Sequence, residues 1–458
     1  MKKFSFWSMT IWLAAGIAPS LLAQALPSAP DPLTLPEAVR LALNNNPTVQ
    51  ATEAYAEAVR HGITIAQSGR YPRLDFSEGL TRGNNPVYVF GSLLTQGQFT
   101  AANFALPSLN YPAPLDNFRT QFMAAMPLWD AGQTSRRVRD ARLNSQGATR
   151  ATERSRQEVI FAVVQAYLNG LLARESVRVA EAAAEMSKAD LARAQAREEQ
   201  GLAVPSDLLS AQVQLAQAQE DLLRAKNAVA LADSALNVAM GQAEDAPVTL
   251  AGRWSGVTFE AGALDERQQR ALTARPDYHQ AQVGEQRAAN ERSMARAEFL
   301  PKLNIFGSWE QDNQTFLARG NNNWALGATL SFNLFDGGAN RARLKESTAR
   351  ERQAQAMRNQ LAAAVRLQVR EAYLNLTTAR DRVEVSRGAT AQAAESLRII
   401  QNRYEAGLVT ITDLLRAETA HTAAQKNALT AVFDYRLSYA ALELATGELA
   451  ADSPAVTQ

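Results

Sequence analysis

The chain has 458 residues, no cysteine and three histidines, and balances 47 basic against 46 acidic side chains for a net charge of +1. Without cysteine there is no disulfide, thiol chemistry or cysteine metal site, and three scattered histidines leave little for zinc or copper. The near-neutral balance removes the electrostatic case for nucleic acid as a partner.

Residues 1–25 read as a secretory signal: Lys2 and Lys3 make a basic start, Phe4 to Leu22 is mostly apolar, and Ala23-Gln24-Ala25 has the small-x-small form of a cleavage site. No cysteine follows, which argues against an N-terminal lipid anchor. Beyond the signal no run of about 20 apolar residues offers a transmembrane helix, so a mature chain that enters a membrane does so as strands. Residues 26–35 carry three prolines and read as an extended arm.

Thr34-Leu-Pro-Glu37 is a capping box that predicts a short helix through about Asn44, and Pro47 opens another to about Gly69. Past Pro72 the period changes to two. Leu74, Phe76 and Leu80 mark an outgoing strand over about 73–82, and Phe118, Phe122, Ala124, Met126 and Leu128 a return strand over about 117–128. From about Gln133 to Gln200 nothing breaks a helical pattern, which at 1.5 Å per residue reaches about 100 Å. The return helix repeats Leu208, Leu215, Leu222, Val229 and Leu236 every seventh residue, with Ala211, Ala218, Ala225, Ala232 and Ala239 as a uniformly small second row. That is a coiled-coil seam whose backbones approach closely.

The pattern is then written again. Asp130 to Asp336, Tyr167 to Tyr373, Asp207 to Asp413 and Gly241 to Gly447 are each 206 apart, whereas Pro47 to Pro276 and Pro72 to Pro301 are 229 apart. The first copy therefore carries 23 extra residues between Pro72 and Asp130. The units are 26–241 and 265–447, joined by a Gly- and Pro-containing stretch at 242–264 that reads as a collar outside the helices, with a tail at 448–458. In the second copy a helical segment starts at Asp265 and continues through Arg275-Pro276 to about Glu298. Strands follow at about 302–311 and 323–334, with Trp324, Leu326, Ala328, Leu330, Phe332 and Leu334 on one face. A second long helix runs from about Ala339 to Ala406. The small row recurs as Ala417, Ala424, Ala431, Ser438 and Ala445.

Strands of about ten residues with one apolar and one small-polar face suit a barrel between lipid and water, and equally a half-buried soluble sheet. The signal favours the barrel, and four strands fall short of the about eight that closure needs, so several chains would have to combine. No phosphate loop, nucleophile elbow or metal spacing is present. Glu198-Glu199 suits a solvated helix face and His421 a packed seam position, so the chain is not expected to be an enzyme or to hold a cofactor.

Two matching turns join the long helices: Arg197-Glu-Glu-Gln-Gly201-Leu-Ala-Val-Pro-Ser-Asp207-Leu-Leu209 and Arg403-Tyr-Glu-Ala-Gly407-Leu-Val-Thr-Ile-Thr-Asp413-Leu-Leu415. In each, Gly ends one helix and Asp sits in the first turn of the next, where its charge suits the dipole. Together with residues 34–47, the Pro-x-Leu strand openings at Pro72 and Pro301 and the Leu-Trp/Phe-Asp-Ala/Gly-Gly exits, these parts resemble the outer-membrane efflux protein (TolC-like) family of Gram-negative bacteria over about 34–447.

The resemblance implies a homotrimer. Each chain gives four strands to an outer-membrane β-barrel in lipid, twelve strands in all, and its helices to a periplasmic α-barrel. It further implies a periplasmic adaptor docking at the tips and, through it, an inner-membrane transporter. The docking positions map onto Gly201, Leu202, Ser206, Asp207 and Leu208 in the first tip and Gly407, Leu408, Thr410, Asp413 and Leu414 in the second; Val204-Pro205-Ser206 displaces the hydroxyl of the first tip from the family pattern. Tyr404 and Asp413 match gate positions, while Val409 and Arg416 replace a basic and an acidic residue of the family's best-known member. Drug, metal-ion and type I protein secretion systems share such an outer component, so the resemblance leaves the transported compound open. The rival reading is a secreted coiled-coil scaffold without a pore, which has no use for two amphipathic hairpins.

Overall fold

The computed structural model describes residues 32–252, 254, 258–316 and 318–458. The signal at 1–25 and most of the proline-rich arm lie outside the described residues. In chain order the first copy has α1 (Leu35–Asn45), α2 (Pro47–Ser68), β1 (Arg73–Gly83), α3 (Pro86–Thr95), a 3-10 turn (Ala101–Phe104), α4 (Leu106–Asn110), β2 (Leu115–Trp129), α5 (Gln133–Glu199) and α6 (Pro205–Ala239). The second has α7 (Leu264–Ala274), α8 (Pro276–Ala297), β3 (Lys302–Asn313), β4 (Asn321–Ser331), α9 (Ala339–Glu405) and α10 (Ile411–Thr446), followed by α11 (Pro454–Thr457).

The capping box at Thr34 forms: its amide and hydroxyl both donate to Glu37 Oε2, at 2.9 and 2.7 Å. The helix expected to run through Arg275-Pro276 is instead two helices. Arg275 is extended, with φ −67° and ψ 124°, because a proline disfavours the helical conformation of the residue before it. The return strand expected to about 334 ends at Ser331, since Asp336 takes over the backbone there. Its carboxylate accepts from the amides of Gly338 and Asn340 at 3.0 and 2.7 Å. Asp130 does the same for Gly132 and Thr134 at 2.9 and 2.6 Å, so the repeated exit motif is a carboxylate-capped corner from strand to long helix. Those contacts hold the Asp130 carboxyl below its usual range against the opposing effect of burial.

All four strands form one antiparallel sheet in the order β1-β2-β3-β4. The hairpins of the two copies are therefore joined through β2 and β3, which are separated in sequence by the long helices. Register aligns Phe76, Phe122, Trp309 and Trp324 in one row across the sheet, with successive ring centroids 5.2 and 5.8 Å apart for the first three. On the same face, toward the helices, follow Leu74, Ala124, Gly307 and Leu326, then Met126, Ile305 and Ala328. The opposite face carries Ser77, Gln121, Arg119, Ser308, Glu310, Asn323 and Thr329. Leu115 and Met123 lie on this face as well, as does Phe306, whose ring lies over Gly327, where a Cβ would come within 2.5 Å of it. In the single chain Trp324 and Leu326 are 77% and 78% exposed.

The helices make two levels. Nearer the sheet, α5 packs between α2 and α8, and α8 in turn on α9; farther away, α6 packs on α5 and α10 on both α9 and α5. The expected seam is the buried side of α6: Ala211, Ala218 and Leu236 are buried and the other seam positions half-buried. Between the levels sits the main core, which gathers Val39, Leu168, Val369, Leu442, Leu449 and neighbouring side chains from α1, α5, α9, α10 and the C-terminal segment. Leu33 bridges to Leu250 there. The Tyr167 hydroxyl donates to Leu33 O at 3.0 Å, and burial pushes that phenol up to about 12, so it remains a donor.

Both copies end on the same junction. Gly241 (φ 72°) faces Asn45 O, 2.6 Å from an added Cβ, and Gly447 (φ 78°) faces the Arg275 backbone at 2.9 Å. Gly201 has a similar φ of 71° with nothing within 4 Å. Gly241→Ala or Gly447→Ala should thus cost about 2 to 5 kcal/mol, the left-handed backbone term plus overpacking. Gly201→Ala should cost only the backbone term of about 1 to 2 kcal/mol. Midpoints of denaturant unfolding compare the three; equal losses would remove the packing role of the two junction glycines.

Candidate functional site

Far from the sheet, the long helices turn at two tips. In the first, Gly201 N and Leu202 N donate to Glu198 O and Arg197 O, both at 2.8 Å, a glycine-centred helix stop. In the second, Gly407 N and Leu408 N reach Tyr404 O and Arg403 O at 3.0 and 2.9 Å. Both glycines are left-handed, with φ 71° and 72°. The turns project Leu202 and Leu408, which are 68% and 73% exposed.

The tips differ where the next helix starts. Thr410 is the cap of α10: its amide and hydroxyl donate to Asp413 Oδ2 at 3.2 and 2.7 Å, and Asp413 N donates back to Thr410 Oγ1 at 3.3 Å. These Thr410 contacts hold the Asp413 carboxyl below the usual range, with Arg416's charge adding to them. Asp413 and Arg416 form no ion pair within 4 Å among the described residues. The first tip has Val204 at the cap position with no side-chain bond; Ser206 and Asp207 follow in the first turn of α6. Leu414 is fully buried, and its counterpart Leu208 is half-buried.

Tyr404 is buried with Ala194, Ala211, Leu397, Ile411 and Leu414 in a compact cluster at the tip end. A residue that the sequence reading left without a role holds it there. Arg197 of the first tip donates from Nη1 to Tyr404 O at 2.8 Å, and its guanidinium lies 4.8 Å from the centroid of the Tyr404 ring. The two tips are thereby tied within one chain. The signal available was that arginine stands at the same place in both turns, as Arg197 and Arg403.

A second group between the two helix pairs was also missed. Asp190 on α5 and Glu418 on α10 are 1% and 2% exposed; Asp190 pairs with Arg193, while no N–H or hydroxyl donor meets either Glu418 oxygen among the described residues. Burial, then the neighbouring Asp190 carboxylate, push the Glu418 carboxyl up to about 9. A cavity of about 220 Å³ adjoins it, bordered by Ser187, Gln214, Thr422 and the ion pair of Asp221 and Lys426 at 3.2 Å.

A family profile described as "Outer membrane efflux protein" matches residues 38–242 and 268–448. Protein CyaE of Bordetella pertussis is 26% identical over 426 residues, covering 92% of this chain and 85% of the relative. The alkaline protease secretion protein AprF of Pseudomonas aeruginosa is 24% identical over 427 residues, covering 91% and 85%. Among solved structures, the Campylobacter jejuni CmeC outer membrane channel superposes with a TM-score of 0.79 at 18% identity, over 92% of this chain and 87% of that one. At that identity the likeness speaks for the fold.

Proposed function

This chain belongs to the outer membrane efflux protein family, and from that membership we propose that three copies close their sheets into one barrel and stack their helices into a tunnel below it. The protein is an outer-membrane channel of the kind used in efflux or type I secretion, with its helices in the periplasm. The trimer is our reading, and one observation carries it: a single sheet with two open edges, β1 and β4, whose aromatic and aliphatic face is left unburied. Unpaired edge amides and carbonyls cannot stay in lipid, so the edges must meet other copies.

In this reading the exposed Leu202 and Leu408, with the turns around them, form the surface on which a periplasmic adaptor docks, and the adaptor connects the tunnel to an inner-membrane transporter that supplies the energy. The second tip, with its Thr410–Asp413 cap, presents the more rigid of the two grooves. Tyr404, Asp413 and Arg416 form the gate. Tyr404 works from inside the chain, its ring keeping α9, α10 and the first tip together under Arg197, whereas Asp413 and Arg416 lie nearer solvent.

Purified in detergent, the protein should run as a trimer by light scattering, rich in helix with a minor β signal. A monodisperse monomer obtained in water without detergent would overturn the channel reading.

A further inference from the structure

The 23 extra residues of the first copy belong to the long connection between β1 and β2, which occupies residues 84–114, whereas β3 and β4 are joined by only 314–320. The long connection is built. Asn85 caps α3, accepting from Val87 N and Tyr88 N at 3.0 and 3.2 Å, and the Tyr88 hydroxyl ties it to Thr81 O at 2.7 Å. At its far end Gly97, with φ 67°, turns the chain against Asn321.

This segment does not stand clear of the sheet. It packs over β2, β3 and β4, on the face opposite Phe122, Trp309 and Trp324. There Gln96 Nε2 donates to Asn117 Oδ1 at 2.8 Å, and Asn117 Nδ2 to Asp312 Oδ1 at 2.6 Å. Asn323 Nδ2 donates to Thr95 O at 3.2 Å. Asp312 is 0% exposed although it lies on the polar side of the sheet; the insert is what covers it. The side of the insert turned away from this anchor is apolar, with Val87, Phe104, Leu106 and Tyr111 exposed.

We infer that the insert is a specificity-determining constriction: three copies lean over the water-facing side of the barrel at its outer mouth and set the size of what leaves without displacing them. The inference rests on the trimeric-barrel reading. The anchor is suited to reversible release. Asp312 keeps its charge partner Arg119, 3.1 Å away on β2, and Asn117 also belongs to the sheet. The insert carries no charged side chain and contributes only neutral groups, among them the Gln96 and Gln98 amides, the Thr95 carbonyl and the Tyr88 hydroxyl, so lifting it leaves no buried charge without a partner.

The absence of cysteine from the chain makes the test direct. Single cysteines are placed in otherwise native protein at Ser308→Cys, on the polar face two rows nearer the helices than Asp312, and at Leu326→Cys on the apolar face. Whole cells are treated with a small membrane-impermeant maleimide or a bulky polyethylene-glycol maleimide. The small reagent should label Ser308→Cys and not Leu326→Cys. The bulky one should fail at Ser308→Cys with the insert present, and succeed when residues 84–114 are replaced by the shorter connection 314–320. Gln96→Ala, which retains the insert but loosens its anchor, should admit the bulky reagent at an intermediate rate and keeps the test valid if the shortened chain does not assemble. Equal bulky labelling of the native and altered inserts, with the small reagent still separating the two faces, would overturn the constriction and leave the barrel standing. Equal small-reagent labelling of both faces would overturn the barrel and the constriction with it.

Discussion

Leu326→Arg should all but abolish the outer-membrane trimer, while Thr329→Arg, three residues along the same strand, should leave it intact. Leu326 lies opposite Gly307 in the apolar rows below the aromatic one, and Thr329 lies on the other face, opposite Asn304. A guanidinium on the lipid side near mid-depth costs about 2 to 4 kcal/mol, and one on the lumen side meets water. In the proposed trimer every copy carries that penalty. Trimer yield from outer-membrane fractions should therefore fall by more than about tenfold for the first variant. Equal yields would mean that the face carrying Trp324 and Leu326 does not meet lipid.

That contrast was legible in the sequence because two different solvents impose a period of two on a strand, and Trp324 to Leu330 keeps it. The corners were legible for a related reason. Asp130 and Asp336 perform the same capping bond pair, so the residue recurs at a fixed offset, and the glycines at 241 and 447 recur because each meets a backbone too close for any Cβ. Contacts between distant segments left no such trace. The pairing of β2 with β3 depends on where two helical excursions return, and no local pattern records it. The inward fold of the first connection rests on Gln96, Asn117 and Asp312, three polar residues that look alike on a loop and on a strand until the strands are aligned. Arg197 reads as an ordinary last-turn cation, suited to a helix C-terminus, and its hold on Tyr404 spans 207 positions. Glu418 follows a small seam alanine, Ala417, at a flanking position where a charged side chain is commonly solvated; only the packing of α10 against α5 shows that it is buried.

Glu418 gives the tip region an expected pH response. The groups that face it are Asp190 and Arg193 from α5; Glu405 of α9 lies 3.9 Å from Arg193, and Asp221 of α6 and Lys426 of α10 form their ion pair beyond the cavity. Burial first, and Asp190 second, raise its pKa from an ordinary 4.5 to about 9 in the packed state, against the opposing pull of Arg193. The packed state thus holds a proton that a separated, hydrated α10 would release. A raised folded-state pKa contributes stability that is complete below the ordinary carboxylate value and is lost as pH rises through about 9. Within that window each pH unit should favour separation of the two helix pairs by up to about tenfold per copy. Above it the loss is complete, and Glu418 faces Asp190 as a second buried carboxylate. Glu418→Gln keeps the shape and cannot ionise, so its packing should not change with pH on this account. Channels in a planar bilayer, followed from pH 6 to pH 10, should show native conductance rising with pH as the tips loosen, and Glu418→Gln conductance staying near the native low-pH level. Parallel rises in both would place the pH response on another group, and a flat native curve would mean that the tips open without separating α10 from α5.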